Sequence, residues 1–92
     1  MTNAALRNVM RSALRRFETR ADEIAKRYAP ILAAESDAAK VRAILVDVIE
    51  ELRRLLRDEI VAALRAEGLA VDAATLRKFD RELGVRRLRV VQ

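Results

Sequence analysis

The feature that most constrains this fold is the long stretch between Ser36 and Gly68, which contains no proline and no internal glycine. Apolar residues recur within it at alternating spacings of three and four, the period of one face of an α-helix. This stripe consists of Ala38, Val41, Leu45, Val48, Leu52 and Leu55. A helix over about 37–67 is roughly 45 Å long at ~1.5 Å per residue, so a neighbouring helix must cover the stripe.

A second amphipathic pattern predicts a preceding helix over about 3–28. Pro30 lacks a backbone donor and disfavours helical geometry at Ala29, which predicts a corner over 29–36. Ser36 or Asp37 is the expected N-cap of the long helix. The apolar face of the first helix is expected to consist of Leu6, Met10, Ala13, Phe17, Ala21, Ile24 and Tyr28.

The last part of the chain carries the start and stop signals of a short helix. Gly68 is placed to end the long helix in a Schellman motif. Asp72 is the expected N-cap of a helix over 73–83, which Gly84 ends, and residues 84–92 form a basic tail. The sequence therefore predicts one all-α domain, a long antiparallel helical hairpin with a short C-terminal helix.

The apolar stripe of the long helix is wider than one partner helix covers, because Ile44, Ile49 and Leu56 flank it. Either the short helix folds back onto it or two chains form a dimeric helical bundle, and we favour the homodimer. The expected interface residues are Ile44, Leu45, Val48, Ile49, Leu52 and Leu56.

Composition excludes most catalytic classes, because the chain contains neither cysteine nor histidine. Zinc sites of the usual type, Cys/His nucleophiles and Ser-His-Asp triads need those residues. We therefore expect no enzyme, no catalytic residue, no metal and no cofactor. Three aromatic residues are too few to stack nucleic-acid bases. No apolar run reaches the ~20 residues of a membrane span, and we expect a cytoplasmic protein without a membrane partner.

The carboxylates of the long helix do not change this expectation. Without histidine they lack the Glu-x-x-His pairs of di-iron bundles, and we interpret them as solvated partners of Arg53, Arg54 and Arg57 at helical spacing. These carboxylates are Asp47, Glu50, Glu51, Asp58 and Glu59.

The net charge of +5 is concentrated at both ends of the chain. Residues 1–28 carry seven basic and three acidic side chains, and residues 68–92 carry six and three. Codon bias in a GC-rich genome would explain the excess of arginine over lysine but not its placement. Arginine binds phosphates and carboxylates bidentately. The candidate nucleic-acid-binding residues are Arg7, Arg11, Arg15, Arg16, Arg20, Thr75, Arg77, Lys78, Arg81, Arg86 and Arg87.

Residues 60–83, with the sequence IVAALRAEGLAVDAATLRKFDREL, contain a helix, a glycine turn and a short basic helix. This segment resembles the second half of helix-turn-helix motifs in small DNA-binding accessory proteins of plasmids and phages. Glu67 and Arg77 depart from the motif, because apolar residues are usual at those positions. The resemblance implies that Thr75, Arg77, Lys78 and Arg81 face a DNA groove or its phosphates.

These observations lead to one functional expectation and its alternatives. We expect a small basic helical protein that binds nucleic acid, above all double-stranded DNA, through Arg and Lys at its two ends. The alternative is a protein-interaction module, an adaptor or a small phage- or plasmid-type inhibitor that docks on an acidic or nucleic-acid-binding surface. A membrane-surface or targeting helix is a further interpretation of the N-terminal segment.

Overall fold

The structure is a computed structural model that describes residues 2–85. Helix α1 spans Asn3–Ala34, α2 spans Ala38–Ala66 and α3 spans Ala73–Leu83. The predicted all-α fold, a long packed hairpin followed by a short helix, is confirmed. Residues 86–92, with Arg86 and Arg87 of the predicted basic tail, lie outside the described residues.

Helix α1 is longer than predicted, because Pro30 lies inside it instead of ending it. The corner shrinks from the predicted 29–36 to the three residues between Ala34 and Ala38. Proline removes only one backbone donor, and Pro30 is exposed, so its ring occupies no space needed for packing. Tyr28 and Leu32, on either side of it, are partly buried. This packing of the last turns offsets the local cost of the proline.

The buried face of α1 also differs from the predicted one at its N-terminal end. Val9 is only 4 % exposed, whereas Met10 is 55 % exposed and Leu6 is exposed as well. Val9 and Ala13 pack with Ala63 of α2, and this cluster is the best buried part of the core. The prediction that Leu6 and Met10 belong to the core was therefore wrong. Both residues lie on a second apolar ridge beside the buried one.

Both ends of α2 follow the predicted local chemistry. The side chain of Asp37 accepts a hydrogen bond from the backbone N–H of Ala39 at 2.9 Å, which identifies Asp37 as the N-cap. At the other end, the N–H of Leu69 donates to the carbonyl of Leu64 at 3.1 Å, and Gly68 has φ +80°. That geometry is the expected Schellman motif, in which glycine adopts the left-handed conformation without steric cost.

Helix α3 begins and ends at the predicted residues. The carboxylate of Asp72 accepts a hydrogen bond from the N–H of Thr75 at 2.8 Å, and Gly84 ends the helix with φ +71°. The hydrogen bond from Thr75 lowers the pKa of Asp72 below its usual value, because it stabilises the ionised form. The charge of Asp72 therefore contributes to the stability of α3 at neutral pH.

Replacement of Asp72 by asparagine or alanine tests this cap. Asp72→Ala is expected to lower the melting temperature by a few degrees, since a helix N-cap is lost. Asp72→Asn keeps a capping oxygen, so its loss should be smaller. The pKa of Asp72 is depressed on folding, so the charge contribution is complete above the unfolded pKa of about 4 and is lost as pH falls through the folded pKa. Melting curves of wild type and Asp72→Asn should therefore converge in acid, and a constant difference would contradict the assignment.

Helix α2 lies between the other two helices. Arg20 pairs with Glu59 and Arg27 with Glu51, so α1 and α2 are antiparallel. Helix α3 returns along the C-terminal half of α2, where Asp80 accepts a hydrogen bond from Arg57 at 2.8 Å. Among the described residues, α1 and α3 do not contact each other. Charged residues interrupt the helices within 2–85 so often that none qualifies as a membrane span.

Candidate nucleic-acid interface

The first half of α1 presents a basic ridge to solvent. Arg7, Arg11 and Arg15 follow one another at intervals of four residues, so they lie along one side of the helix over about 12 Å. Arg16 is exposed beside them, and no acidic residue precedes Glu18. Within residues 2–85, no carboxylate is placed to form an ion pair with these four arginines. Their guanidinium groups are therefore available to an anionic partner.

Arg20 differs from the other predicted arginines, because it is already paired within the protein. Its guanidinium donates to a carboxylate oxygen of Glu59 at 3.1 Å. Glu59 is only 5 % exposed, so the protein interior holds a carboxylate whose counter-charge is Arg20. Arg20 therefore serves the fold and has less capacity to bind a phosphate than Arg15 or Arg16.

An open cleft between α1 and α2 lies directly beside this pair. Its lining includes Arg15, Arg16, Thr19 and Arg20 from α1, together with Glu59 from α2. The hydroxyl of Thr19 donates to the backbone carbonyl of Arg15 at 3.1 Å. The buried carboxylate of Glu59 makes the floor of the cleft acidic, and the exposed Arg15 and Arg16 form its basic rim. An anion would contact this rim through Arg15 and Arg16.

A second cross-helix cluster fixes the hairpin nearer the corner. Glu51 accepts hydrogen bonds from Arg27 and from the hydroxyl of Tyr28, both at 2.7 Å. The guanidinium of Arg27 also lies over the ring of Tyr28, 5.3 Å from its centre. The bond to Glu51 raises the pKa of Tyr28, because the carboxylate holds the phenolic proton. The hydrogen-bonding groups of Arg27, Tyr28 and Glu51 are therefore used within the protein, where they hold α1 against α2.

The carboxylates of α2 were predicted to be solvated partners of arginines on the same helix, and only part of this prediction holds. Arg54 pairs with Glu50 at 3.4 Å, and Arg57 contacts Asp58 at 3.0 Å. Glu51 and Glu59 instead pair with α1. Helical spacing predicts ion pairs only between residues of the same helix, whereas the partners of Glu51 and Glu59 lie on α1. Within the described residues, no group of three or more acidic side chains is arranged to hold a metal ion.

Helix α3 presents the second basic surface. Arg77, Lys78 and Arg81 are exposed, whereas Thr75 is partly buried and belongs to the Asp72 cap. The hydrogen bond between Arg57 and Asp80 attaches the opposite side of the helix to α2. This bond raises the pKa of Arg57, because Asp80 stabilises the charged guanidinium. Three of the four residues that the sequence selected on α3 are thus free to meet a ligand.

The fold brings the two basic segments to the same end of the hairpin. Val9 and Ala13 contact Ala63, which places the first half of α1 beside the C-terminal half of α2. Helix α3 packs on that same half, as the bond between Arg57 and Asp80 shows. Within residues 2–85, α1 and α3 both pack on α2 without contacting each other, so they lie on different sides of it. Two basic ridges from opposite ends of the sequence therefore flank one helix.

The residues predicted to form an oligomer interface do not all have the same exposure. Leu45 and Ile49 are exposed, and the others are partly buried. The partly buried members are Ile44, Val48, Leu52 and Leu56. Whether this surface joins two chains stays a prediction.

The resemblance of residues 60–83 to helix-turn-helix segments also stays a prediction. Helix α3 returns beside α2, with Leu76 near Val61 and the carbonyl of Gly84 bonded to Arg53 at 3.3 Å. In a helix-turn-helix the two helices cross at about 90–120°. No protein-family model, curated protein or solved structure matches this chain.

Proposed function

We propose that this protein binds nucleic acid, and that it contacts the phosphate backbone of double-stranded DNA with the two basic ridges at the open end of the hairpin. The observation that carries the proposal is that both ridges lie at the same end of the hairpin. Arg7, Arg11 and Arg15 on α1, and Arg77 and Arg81 on α3, come from opposite ends of the sequence and flank the same half of α2.

Electrostatics explains how such a surface would bind. Each arginine that neutralises a phosphate releases condensed counterions, and this release supplies most of the affinity for duplex DNA irrespective of sequence. Arginine adds a planar fork of donors that matches a phosphate. An arginine can bind a phosphate in this way only if it is not already paired with a carboxylate of the protein. The four arginines in the first half of α1 have no such ion pair within residues 2–85. Phosphate contacts of this kind position a protein on DNA but do not read its bases.

The salt dependence of binding tests the proposal quantitatively. The double variant Arg11→Gln, Arg15→Gln is expected to flatten the slope of log affinity against log salt concentration by about two units, because each contact contributes roughly 0.9. Affinity for all duplex sequences should fall alike, since backbone contacts are lost. Gel retardation or fluorescence anisotropy over a series of salt concentrations measures this slope.

A matched control lies at the other end of the hairpin. The double variant Lys40→Gln, Arg42→Gln removes the same charge from exposed positions just after the corner. Its slope should stay close to that of the wild type. If the wild-type protein fails to retard duplex DNA even at low salt, the DNA proposal is wrong. The exposed arginines would then favour an acidic protein partner.

A further inference from the structure

A second open cleft lies between α2 and α3, and it adjoins the cleft between α1 and α2 that Arg16 borders. Its lining includes Ala62 and Arg65 of α2, together with Leu76 and Asp80 of α3. Ala62 also lines the cleft beside Arg16. Because this one exposed residue belongs to both clefts, they open on the same side of the molecule. We call the surface formed by the two linings the two-cleft face.

The carboxylates of the two-cleft face already have basic partners within the protein. Arg57 donates hydrogen bonds to Asp58 and Asp80 at 3.0 and 2.8 Å. Arg20 donates to Glu59 at 3.1 Å. Each acidic side chain that lines either cleft is therefore paired with an arginine. The net charge of this face is consequently set by the arginines that are left over.

Arg65 is such an arginine, and it is not among the binding residues selected from the sequence. It lies three residues after Ala62, so the two side chains are about 60° apart on one side of α2. Arg65 is exposed and forms no ion pair within residues 2–85. Arg16 borders the cleft on one side of α2, and on the other side Arg77 lies about 60° from Asp80 on α3. Exposed arginines from all three helices therefore follow one another across this face.

The opposite side of α1 is unsuited to phosphates. Met10 is rotated about 180° from Thr19, which lines the first cleft, and Leu14 is rotated about 140° from it. Met10 and Leu14 are 55 % and 49 % exposed. A phosphate that lay against these side chains would lose water without gaining hydrogen bonds. At this end of the hairpin, the polar and basic side is the one that carries the two-cleft face.

We propose that the two-cleft face is the side of the protein that meets the phosphate backbone of duplex DNA, and that Arg65 is a phosphate contact between the two basic ridges. This inference rests on the proposed function, and it adds the orientation of the protein and a further binding residue. Arg65 offers the planar fork of donors that matches a phosphate. Ala62 carries only a methyl group, so a DNA strand can approach α2 closely between Arg16 and Arg65.

Arg65→Gln tests the new contact by salt-dependent binding to duplex DNA. Loss of one phosphate contact should flatten the slope of log affinity against log salt concentration by about 0.9 and raise the dissociation constant about eightfold at about 0.1 M salt. Arg42→Gln is the matched control, because it removes the same charge from an exposed position near the corner. Its slope and dissociation constant should stay close to those of the wild type.

Ala62→Glu tests the orientation without removing any arginine. A carboxylate at this position would lie where the two clefts adjoin and would repel phosphates, so the affinity for duplex DNA at about 0.1 M salt should fall at least about tenfold. Ala43→Glu adds the same charge at an exposed position of the same helix. Ala43 lies about 28 Å from Ala62 along α2, well beyond the Debye length of about 10 Å, so the affinity should change less than about twofold.

The failure of this inference can be told apart from the failure of the proposed function. The double variant Arg11→Gln, Arg15→Gln could weaken a wild type that binds duplex DNA while Arg65→Gln and Ala62→Glu behave like their controls. The DNA would then lie on another side of the molecule, and the inference would be overturned although the proposed function stands. A wild type that does not retard duplex DNA at low salt would overturn both.

Discussion

Ala13→Asp is expected to unfold most of the protein at room temperature. Ala13 and Ala63 are 2 % and 3 % exposed, and with Val9 they form the buried cluster that joins α1 to α2. Within this cluster, a carboxylate at position 13 would lose its hydration and find apolar side chains as its neighbours. The expected loss is about 4 kcal/mol or more, which is a large part of the total stability of a small domain.

Ser12→Asp is the matched control for this substitution. Ser12 is the preceding residue of α1 but is exposed, so the same charge is added to the same helix in contact with water. Its effect on stability should stay within about 0.5 kcal/mol. Urea denaturation followed by circular dichroism measures both variants. Similar losses for the two substitutions would show that the α1–α2 contact does not lie where the cluster places it.

Removal of Arg20 is expected to produce the second largest loss, because it leaves the carboxylate of Glu59 buried without its counter-charge. The bond between them is 3.1 Å long, and the side chain of Glu59 is almost fully enclosed while that of Arg20 is largely in water. Breaking a fully buried pair costs about 3–5 kcal/mol, and solvation of the arginine reduces this value. We therefore expect Arg20→Met to cost about 2–3 kcal/mol.

A second substitution separates the loss of the charge pair from the loss of the arginine stem. In the double variant Arg20→Met, Glu59→Leu no buried charge remains, so most of the stability should return. Arg16→Met is the control, because Arg16 is exposed and has no ion pair among the described residues. Chemical denaturation of the wild type, the single variants Arg20→Met and Glu59→Leu, and the double variant gives the coupling energy directly. A double variant no more stable than Arg20→Met would exclude an uncompensated charge as the cause.

The helix ends could be predicted from the sequence because they depend on contacts within a few residues. The N-cap oxygens of Asp37 and Asp72 bond to backbone groups two and three residues ahead. Gly68 and Gly84 supply the left-handed conformation that ends the helices before them. Such signals need no information about the rest of the fold. They fixed the bounds of α3 and both ends of α2 to within about one residue.

The N-terminal face of α1 could not be predicted, because its sequence contains two apolar ridges. Val9 and Ala13 form one ridge, while Leu6, Met10 and Leu14 form the other. The helical period fits both about equally well. The angle at which α2 crosses α1 determines which ridge is buried, and that angle depends on side chains far away in sequence. Pro30 was misjudged for a related reason, since the packing on either side of it maintains a helix that local rules would end.

The role of Glu59 and of its partner depended in the same way on the tertiary structure. From the sequence we interpret Glu59 as a solvated carboxylate, although its neighbours three and four residues away on α2 are Leu55, Leu56, Ala62 and Ala63. A pairing with Arg20 across thirty-nine positions leaves no local signal. The same pairing removes Arg20 from the basic ridge that the sequence assigned to α1. Arg7, Arg11, Arg15 and Arg16 keep the exposure that the amphipathic pattern predicted.

By itself the sequence determined the helical class, the number of helices and most of their ends, because these depend on periodicity and capping within one or two turns. It also determined that both ends of the chain are basic. Only the tertiary structure decided that Val9 rather than Met10 is buried, that Glu59 is enclosed, and that the two basic ends lie on either side of the same half of α2. These outcomes depend on how three helices pack against one another, and packing joins residues that no local pattern relates.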